Sequence, residues 1–120
     1  MSTTASSPYS ECMSAAWLGE RLGLDPGRIE AMRRDGELVA VRPSGQTEWL
    51  YPGWQFDRWR PRAGIARVVA AARGSGIPDE RLYALLTAPL GLTRRGDGRR
   101  LADLLVEGRV EDVVAAVRNA

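Results

Sequence analysis

The chain has 120 residues and a mass of 13.1 kDa, which is the size of one ordinary domain. Its 17 basic residues against 15 acidic ones give a formal net charge of +2, and every basic residue is an arginine because lysine and histidine are absent. Catalytic triads and zinc sites that need histidine are therefore excluded, as are Schiff-base chemistry and phosphate loops that need lysine. The composition predicts a protein that is not an enzyme and that binds no cofactor or metal.

A single cysteine, Cys12, cannot form an internal disulfide, which is typical of proteins in a reducing compartment. No apolar run approaches the roughly 18 residues of a membrane span, and the first residues lack a basic-then-apolar signal pattern. We therefore expect a cytoplasmic protein with no membrane contact.

Residues 1–12 are small and hydroxylated, with too little apolar surface to offset the entropy of ordering, so they are predicted to form a flexible tail. Thr3 and Thr4 could accept phosphate there, and an arginine-rich body would attract the modified tail. We favour the simpler interpretation of an unmodified flexible terminus.

A first helix is predicted from near Ser14, because apolar side chains recur at i, i+3 and i+7 at Ala15, Leu18 and Leu22. Gly23 ends this helix as a C-terminal cap. Asp25-Pro26 is an N-cap followed by a first-turn proline, and it begins a second helix that Asp35-Gly36 ends. Two helices joined by about two residues predict a helix-turn-helix.

A two-stranded ribbon is predicted to follow. Residues 37–42 are β-prone, residues 43–46 form a turn, and residues 48–51 return as a second strand. Residues 13–53 thus have the layout of a winged helix-turn-helix module.

Residues 54–62 form a connector rich in tryptophan and arginine. Aromatic rings beside arginines suit single-stranded nucleic acid, but we favour a packed hinge in which Trp54, Phe56 and Trp59 belong to the core. Residues 63–120 are predicted to form a C-terminal bundle of about four short helices. The fold class is therefore α+β, mainly α.

A basic loop precedes the last two predicted helices. Its arginines are candidates for phosphate contacts, and a solvated loop is an equally good interpretation. The candidates are Arg94, Arg95, Arg99 and Arg100.

The segment 22–42 combines a leucine-glycine turn, a capped helix with an arginine-rich end, a Gly-x-Leu step and a strand ending in arginine. The residues that carry the pattern are Leu22-Gly23, Ile29, Arg33-Arg34, Gly36, Leu38 and Arg42. Within residues 14–51 this pattern resembles the winged-helix modules of the excisionase and MerR-type DNA-binding families. The resemblance implies binding to double-stranded DNA and a role in transcription regulation.

The second half is similar to a helical segment that follows such modules in small actinobacterial DNA-binding proteins. Part of it also resembles the toxin-binding C-terminal region of Xre-type antitoxins. The residues concerned are Gly76, Leu82, Leu85, Leu86, Leu104, Leu105, Gly108 and the helix over 113–117.

In a helix-turn-helix the start of the second helix faces base edges, and arginine pairs with guanine. Arg28 is therefore the base-reading candidate, and Arg33 and Arg34 at the other end are phosphate candidates. The wing candidates are Arg42, Ser44, Gln46 and Thr47.

Two features favour the alternative that these are solvated surface arginines. Pro26-Gly27 carries no side-chain donors where the resemblance expects polar readers. Residues 1–62 also contain eight arginines and eight acidic residues, and acids close in sequence could pair with the arginines. Those acids are Glu20, Glu30, Asp35 and Glu37.

The sequence supports two functional hypotheses. The first is a DNA-binding regulator, which would form a homodimer through its C-terminal helices because one recognition helix reads few base pairs. The second is an antitoxin-like or adaptor module that binds a protein partner and does not read DNA specifically.

Overall fold

The computed structural model describes residue 9, residues 11–90 and residues 99–120. These residues form an α+β, mainly helical fold with six helices and two small antiparallel sheets. No helix within these ranges is both long enough and apolar enough to cross a bilayer. The elements in chain order are β1 (Cys12–Ser14), α1 (Ala15–Leu22), α2 (Pro26–Arg34), β2 (Leu50–Pro52), β3 (Phe56–Asp57), β4 (Arg60–Pro61), α3 (Ile65–Gly74), α4 (Asp79–Thr87), α5 (Leu101–Val106) and α6 (Val110–Arg118).

The first two helices begin and end as predicted. The Trp17 backbone N–H donates to Ser14 Oγ at 3.1 Å, and Gly23 caps α1 in the left-handed conformation. The turn to α2 is tight because Gly19 has no side chain: a Cβ there would lie 2.5 Å from the Leu24 carbonyl oxygen. Pro26 opens α2, although the Asp25 side chain makes no capping hydrogen bond.

The predicted ribbon of residues 37–42 and 48–51 is reduced to one antiparallel bridge between Val41 and Leu50, with a backbone hydrogen bond in each direction. β2 pairs over its full length with β1, in the register Cys12↔Pro52, which the sequence did not indicate. Residues 38–41 are each at most 2% exposed. The reason is that this segment is buried on both faces, so Val39 bonds to a side chain rather than to a neighbouring strand.

That side chain belongs to Gln55, which is fully buried. Its Oε1 accepts from the Val39 N–H at 2.7 Å, and its Nε2 donates to the Val39 carbonyl at 2.8 Å and to the Pro52 carbonyl at 3.1 Å. A buried loop carries backbone polar groups that must be satisfied. Gln55 satisfies both backbone groups of Val39, and Leu50 satisfies both backbone groups of Val41, so these two residues hold the segment 38–41 in place.

The connector forms a hairpin that the sequence did not indicate. A single 3-10 turn at Gly53–Gln55 leads into β3 and β4, whose tip is Arg58 and Trp59. Phe56 is buried and Trp54 packs against the core, but Trp59 is 43% exposed. The expectation that Trp59 belongs to the core is therefore wrong, because the turn carries its side chain outward.

The buried side chains form two clusters that meet at residues 38–41. Leu38 and Ala40 pack with α1, α2 and Tyr51, whereas Val39 packs with α3 to α6. Adjacent side chains of an extended segment point to opposite faces. One short segment therefore contributes to both cores and joins the two regions.

The last residues of the predicted flexible tail, Glu11 and Cys12, are among the residues that the structure describes. Cys12 is the first residue of β1, and its thiol donates to the Tyr83 hydroxyl at 3.5 Å. The Glu11 carboxylate accepts from Trp54 Nε1 at 2.9 Å and from Arg100 Nη1 at 3.0 Å. Burial raises the pKa of the Cys12 thiol, which disfavours the thiolate.

Candidate nucleic-acid interface

The outer face of α2 carries exposed arginines. Ile29 and Met32 point into the core, whereas Arg28 in the first turn and Arg34 in the last are exposed. Neither arginine makes an ion pair within the described part of the chain. The acids that could have paired with them form no ion pair with any described residue either; these are Glu20, Glu30, Asp35 and Glu37.

Trp49 brings the end of α2 and the 42–49 loop together. The Arg33 guanidinium lies 4.1 Å from the centroid of the Trp49 ring, and the Arg42 guanidinium lies 5.1 Å from it. Both distances are within the range of cation–π attraction. Arg33 on α2 and Arg42 in the loop, two of the predicted DNA contacts, are thus held against the same half-buried indole.

Arg33 differs from its neighbours because part of its side chain is buried. Its Nε and the Tyr51 hydroxyl are both buried without a hydrogen-bond partner among the described residues. Burial raises the pKa of Tyr51, and the positive charge of the Arg33 guanidinium opposes that rise. Because it is partly buried and contacts Trp49, we interpret Arg33 as a residue that fixes the position of the 42–49 loop rather than as one that extends into solvent.

The 42–49 loop carries the remaining wing candidates. The Gln46 N–H donates to the Pro43 carbonyl at 3.0 Å, which closes the predicted turn. Ser44, Gln46 and Thr47 are all exposed, as is Arg42. The loop thus presents three polar side chains and one guanidinium group to solvent.

Arg73 in the last turn of α3 anchors α2 from the other region. Its Nη2 and Nη1 donate to the carbonyls of Arg33 and Arg34 at 3.0 and 3.1 Å. These carbonyls lie at the negative end of the helix dipole, which a cation stabilises. Gly36 allows this approach, because it has φ +82° and a Cβ there would lie 3.0 Å from Arg73 Nη1.

The candidates outside this surface are placed differently. Arg99 pairs with Glu107, and Arg100 pairs with Glu11 and Asp103. Partial burial acts to lower the pKa of Arg100, but its acidic partners outweigh that effect and raise it. The remaining candidates Arg94, Arg95, Thr3 and Thr4 lie outside the described residues.

Sequence reasoning missed the residues that assemble this surface. Gln55 and Arg73 make contacts with residues 16 and about 40 positions away in the chain, so no local spacing indicates them. The only sequence signal for Arg73 is its place in the last turn of a helix.

No protein-family model matches this chain, and no curated protein matches it. Among solved structures, the chain is similar to the NMR structure of Rv2175c, with a TM-score of 0.78 and 21% sequence identity. The similarity covers 98% of this chain and 85% of that chain. At this level of identity it shows a shared fold.

Proposed function

We propose that this protein binds double-stranded DNA as a regulator of transcription. In this proposal α1 and α2 act as a helix-turn-helix, with α2 in the major groove, and the 42–49 loop acts as a wing. The observation that carries the proposal is the Arg33–Trp49–Arg42 stack, flanked by exposed arginines without ion pairs among the described residues. The stack joins helix and loop into one cationic surface.

The arginines have different roles in this proposal. Arg28 reaches base edges from the first turn of α2, where a guanidinium can pair with guanine. Arg34 and Arg42 contact phosphates on either side, with Ser44, Gln46 and Thr47 following the backbone. Arg33 acts as a positioning residue through Trp49.

Specific recognition in this proposal requires a homodimer. Pro26 and Gly27 offer no side-chain donors, so each α2 reads few bases, and two half-sites are needed for useful specificity. The C-terminal helices would provide the contact, and Val106 on α5 is 44% exposed there. Size measurements at several protein concentrations test this point separately.

The test is binding to random and genomic duplex fragments over a series of salt concentrations. We expect affinity to fall steeply with salt, and Arg34→Ala to flatten the slope by about one because it removes one phosphate contact. Arg28→Ala should weaken the preferred sequence more than random DNA. Arg81→Ala is the matched control, because Arg81 is exposed on α4.

Absence of binding at low salt would overturn the proposal. That result would favour the second hypothesis, in which the module binds a protein partner and does not read DNA. Equal losses in the Arg28, Arg34 and Arg81 variants would also contradict the proposed surface.

A further inference from the structure

A second surface, the indole patch, lies on α1 and the β3–β4 hairpin. We define it by Trp17, Arg21, Arg58, Trp59 and Arg60. The rings of Trp17 and Trp59 are 5.8 Å apart between centroids, and the Arg21 guanidinium lies 4.0 Å from the Trp17 centroid. Trp17 is 42% exposed and Trp59 is 43% exposed. Two large indoles from distant segments are therefore held together at the surface rather than buried.

The backbone at the hairpin tip is strained in order to present these side chains. Arg58 and Trp59 have φ of +52° and +63°, a conformation that side chains with a Cβ adopt only with difficulty. Two-residue hairpin turns of this kind favour Asn-Gly. Substitution of these two residues by Asn-Gly would relieve the strain. The strained backbone is therefore a reason to look for a function of the Arg58 and Trp59 side chains.

The arginines around the two indoles are accessible to a ligand. Arg21, Arg58 and Arg60 are exposed, and they make no ion pair with any described residue. The hairpin borders an open cleft of about 550 Å³ lined by Asp57, Arg58, Arg60, Pro61, Arg62 and Ala63. Three of these six residues are arginines, so the cleft favours an anion.

We propose that the indole patch binds single-stranded nucleic acid. Unpaired bases would stack on the Trp17 and Trp59 rings, and Arg21, Arg58 and Arg60 would contact the backbone phosphates. Two partly exposed indoles lie beside guanidinium groups that make no ion pair with any described residue, and this combination matches a polyanion that carries flat bases. Duplex DNA offers no exposed base faces, so this surface and the α2 surface would bind different forms of nucleic acid, and neither proposal depends on the other.

The experiment titrates the full chain with a short thymidine oligonucleotide at low salt, following both tryptophan fluorescence and the anisotropy of a labelled oligonucleotide. We expect quenching on binding. Trp17→Leu with Trp59→Leu should weaken binding at least about tenfold, since each stacked base contributes appreciably to affinity. Arg81→Ala removes an exposed arginine outside both surfaces and should leave oligonucleotide binding unchanged. Leu24→Ala is the control for loss of an exposed apolar side chain, because Leu24 is 37% exposed and lies outside the indole patch.

A double variant of the hairpin turn distinguishes a loss of binding from a loss of folding. Arg58→Asn with Trp59→Gly supplies the residues that the turn prefers, so we expect a melting temperature equal to or above that of the wild type, together with weakened oligonucleotide binding. Trp59→Phe keeps an aromatic face and should retain most of the affinity. The proposal is overturned if the oligonucleotide does not bind at low salt, or if the folded Leu and Asn-Gly variants bind it as well as the wild type does.

Discussion

The arginines of the N-terminal and C-terminal regions have different environments. By formal charge the second region is the more basic, because residues 1–62 balance eight arginines with eight acids whereas residues 63–120 hold nine arginines and seven acids. Yet every arginine in an ion pair between described residues comes from the second region. These are Arg67, Arg99, Arg100 and Arg109. The formal net charge of a region therefore does not indicate which arginines are free of acidic partners.

Local spacing explains part of this difference. Arg100–Asp103 and Arg109–Asp112 are i,i+3 pairs at helix starts, which form readily. In α2 the equivalent spacing exists between Glu30 and Arg33, but the Arg33 guanidinium stacks on Trp49 instead. For Arg33, an aromatic ring brought in by the fold thus competes with the nearby carboxylate. The other N-terminal arginines make no ion pair with any described residue either.

The largest effect is expected at Gln55, which joins the two regions. Gln55→Leu leaves the Val39 N–H and carbonyl buried without partners, and each such group costs about 1–3 kcal/mol. We expect the free energy of unfolding to fall by roughly 3 kcal/mol in chemical denaturation, with both regions destabilised together. The control is Gln46→Leu on the exposed loop. A fall below about 1 kcal/mol would show that the segment 38–41 is held by other contacts.

The next effect concerns duplex affinity. Arg28→Ala with Arg34→Ala should weaken binding by about 1–3 kcal/mol at moderate salt, because one base contact and one phosphate contact are lost. Arg67→Ala with Arg109→Ala removes the same charge from paired arginines in the C-terminal region. If anisotropy titrations gave equal losses for the two double variants, the contrast between the regions would have no consequence for binding.

Arg73 tests how one region positions the other. Arg73→Ala removes two hydrogen bonds to the end of α2, and we expect a loss of about 1–2 kcal/mol in the free energy of unfolding. DNA affinity should fall because α2 is less well held, while the salt slope stays the same because Arg73 itself releases no counterion. Arg118→Ala, an exposed arginine on α6, is the control. A reduced slope for Arg73→Ala would mean that this side chain contacts phosphate directly.

The smallest effect is expected for an exposed ion pair. In the Arg67–Glu111 pair the side chains are 56% and 76% exposed, so solvent screens the attraction. Glu111→Ala should change the free energy of unfolding by less than about 0.5 kcal/mol in thermal melts. A larger loss would indicate that Arg67 needs its partner in order to pack against α6.

The helices and their ends could be predicted from the sequence, because their signals are local. The cap at Ser14, the stop at Gly23 and the start at Pro26 each involve residues within one helical turn. The exposure of Arg28 and Arg34 also follows from helical periodicity. The pairing of β1 with β2 and the hydrogen bonds of Gln55 to Val39 could not be predicted, because they join segments that are far apart in the sequence. The same holds for the stack on Trp49 and for the Arg73 contacts, which join distant parts of the chain.

The most direct test of the central claim is a titration of isotopically labelled protein with a short duplex, followed by NMR of the tryptophan indole and arginine side-chain N–H groups. We expect the Trp49 indole and the side chains of Arg28, Arg34 and Arg42 to shift on DNA addition, while those of Arg67 and Arg109 stay unchanged. Shifts confined to the helices after residue 63 would contradict the assignment of DNA binding to the N-terminal arginines.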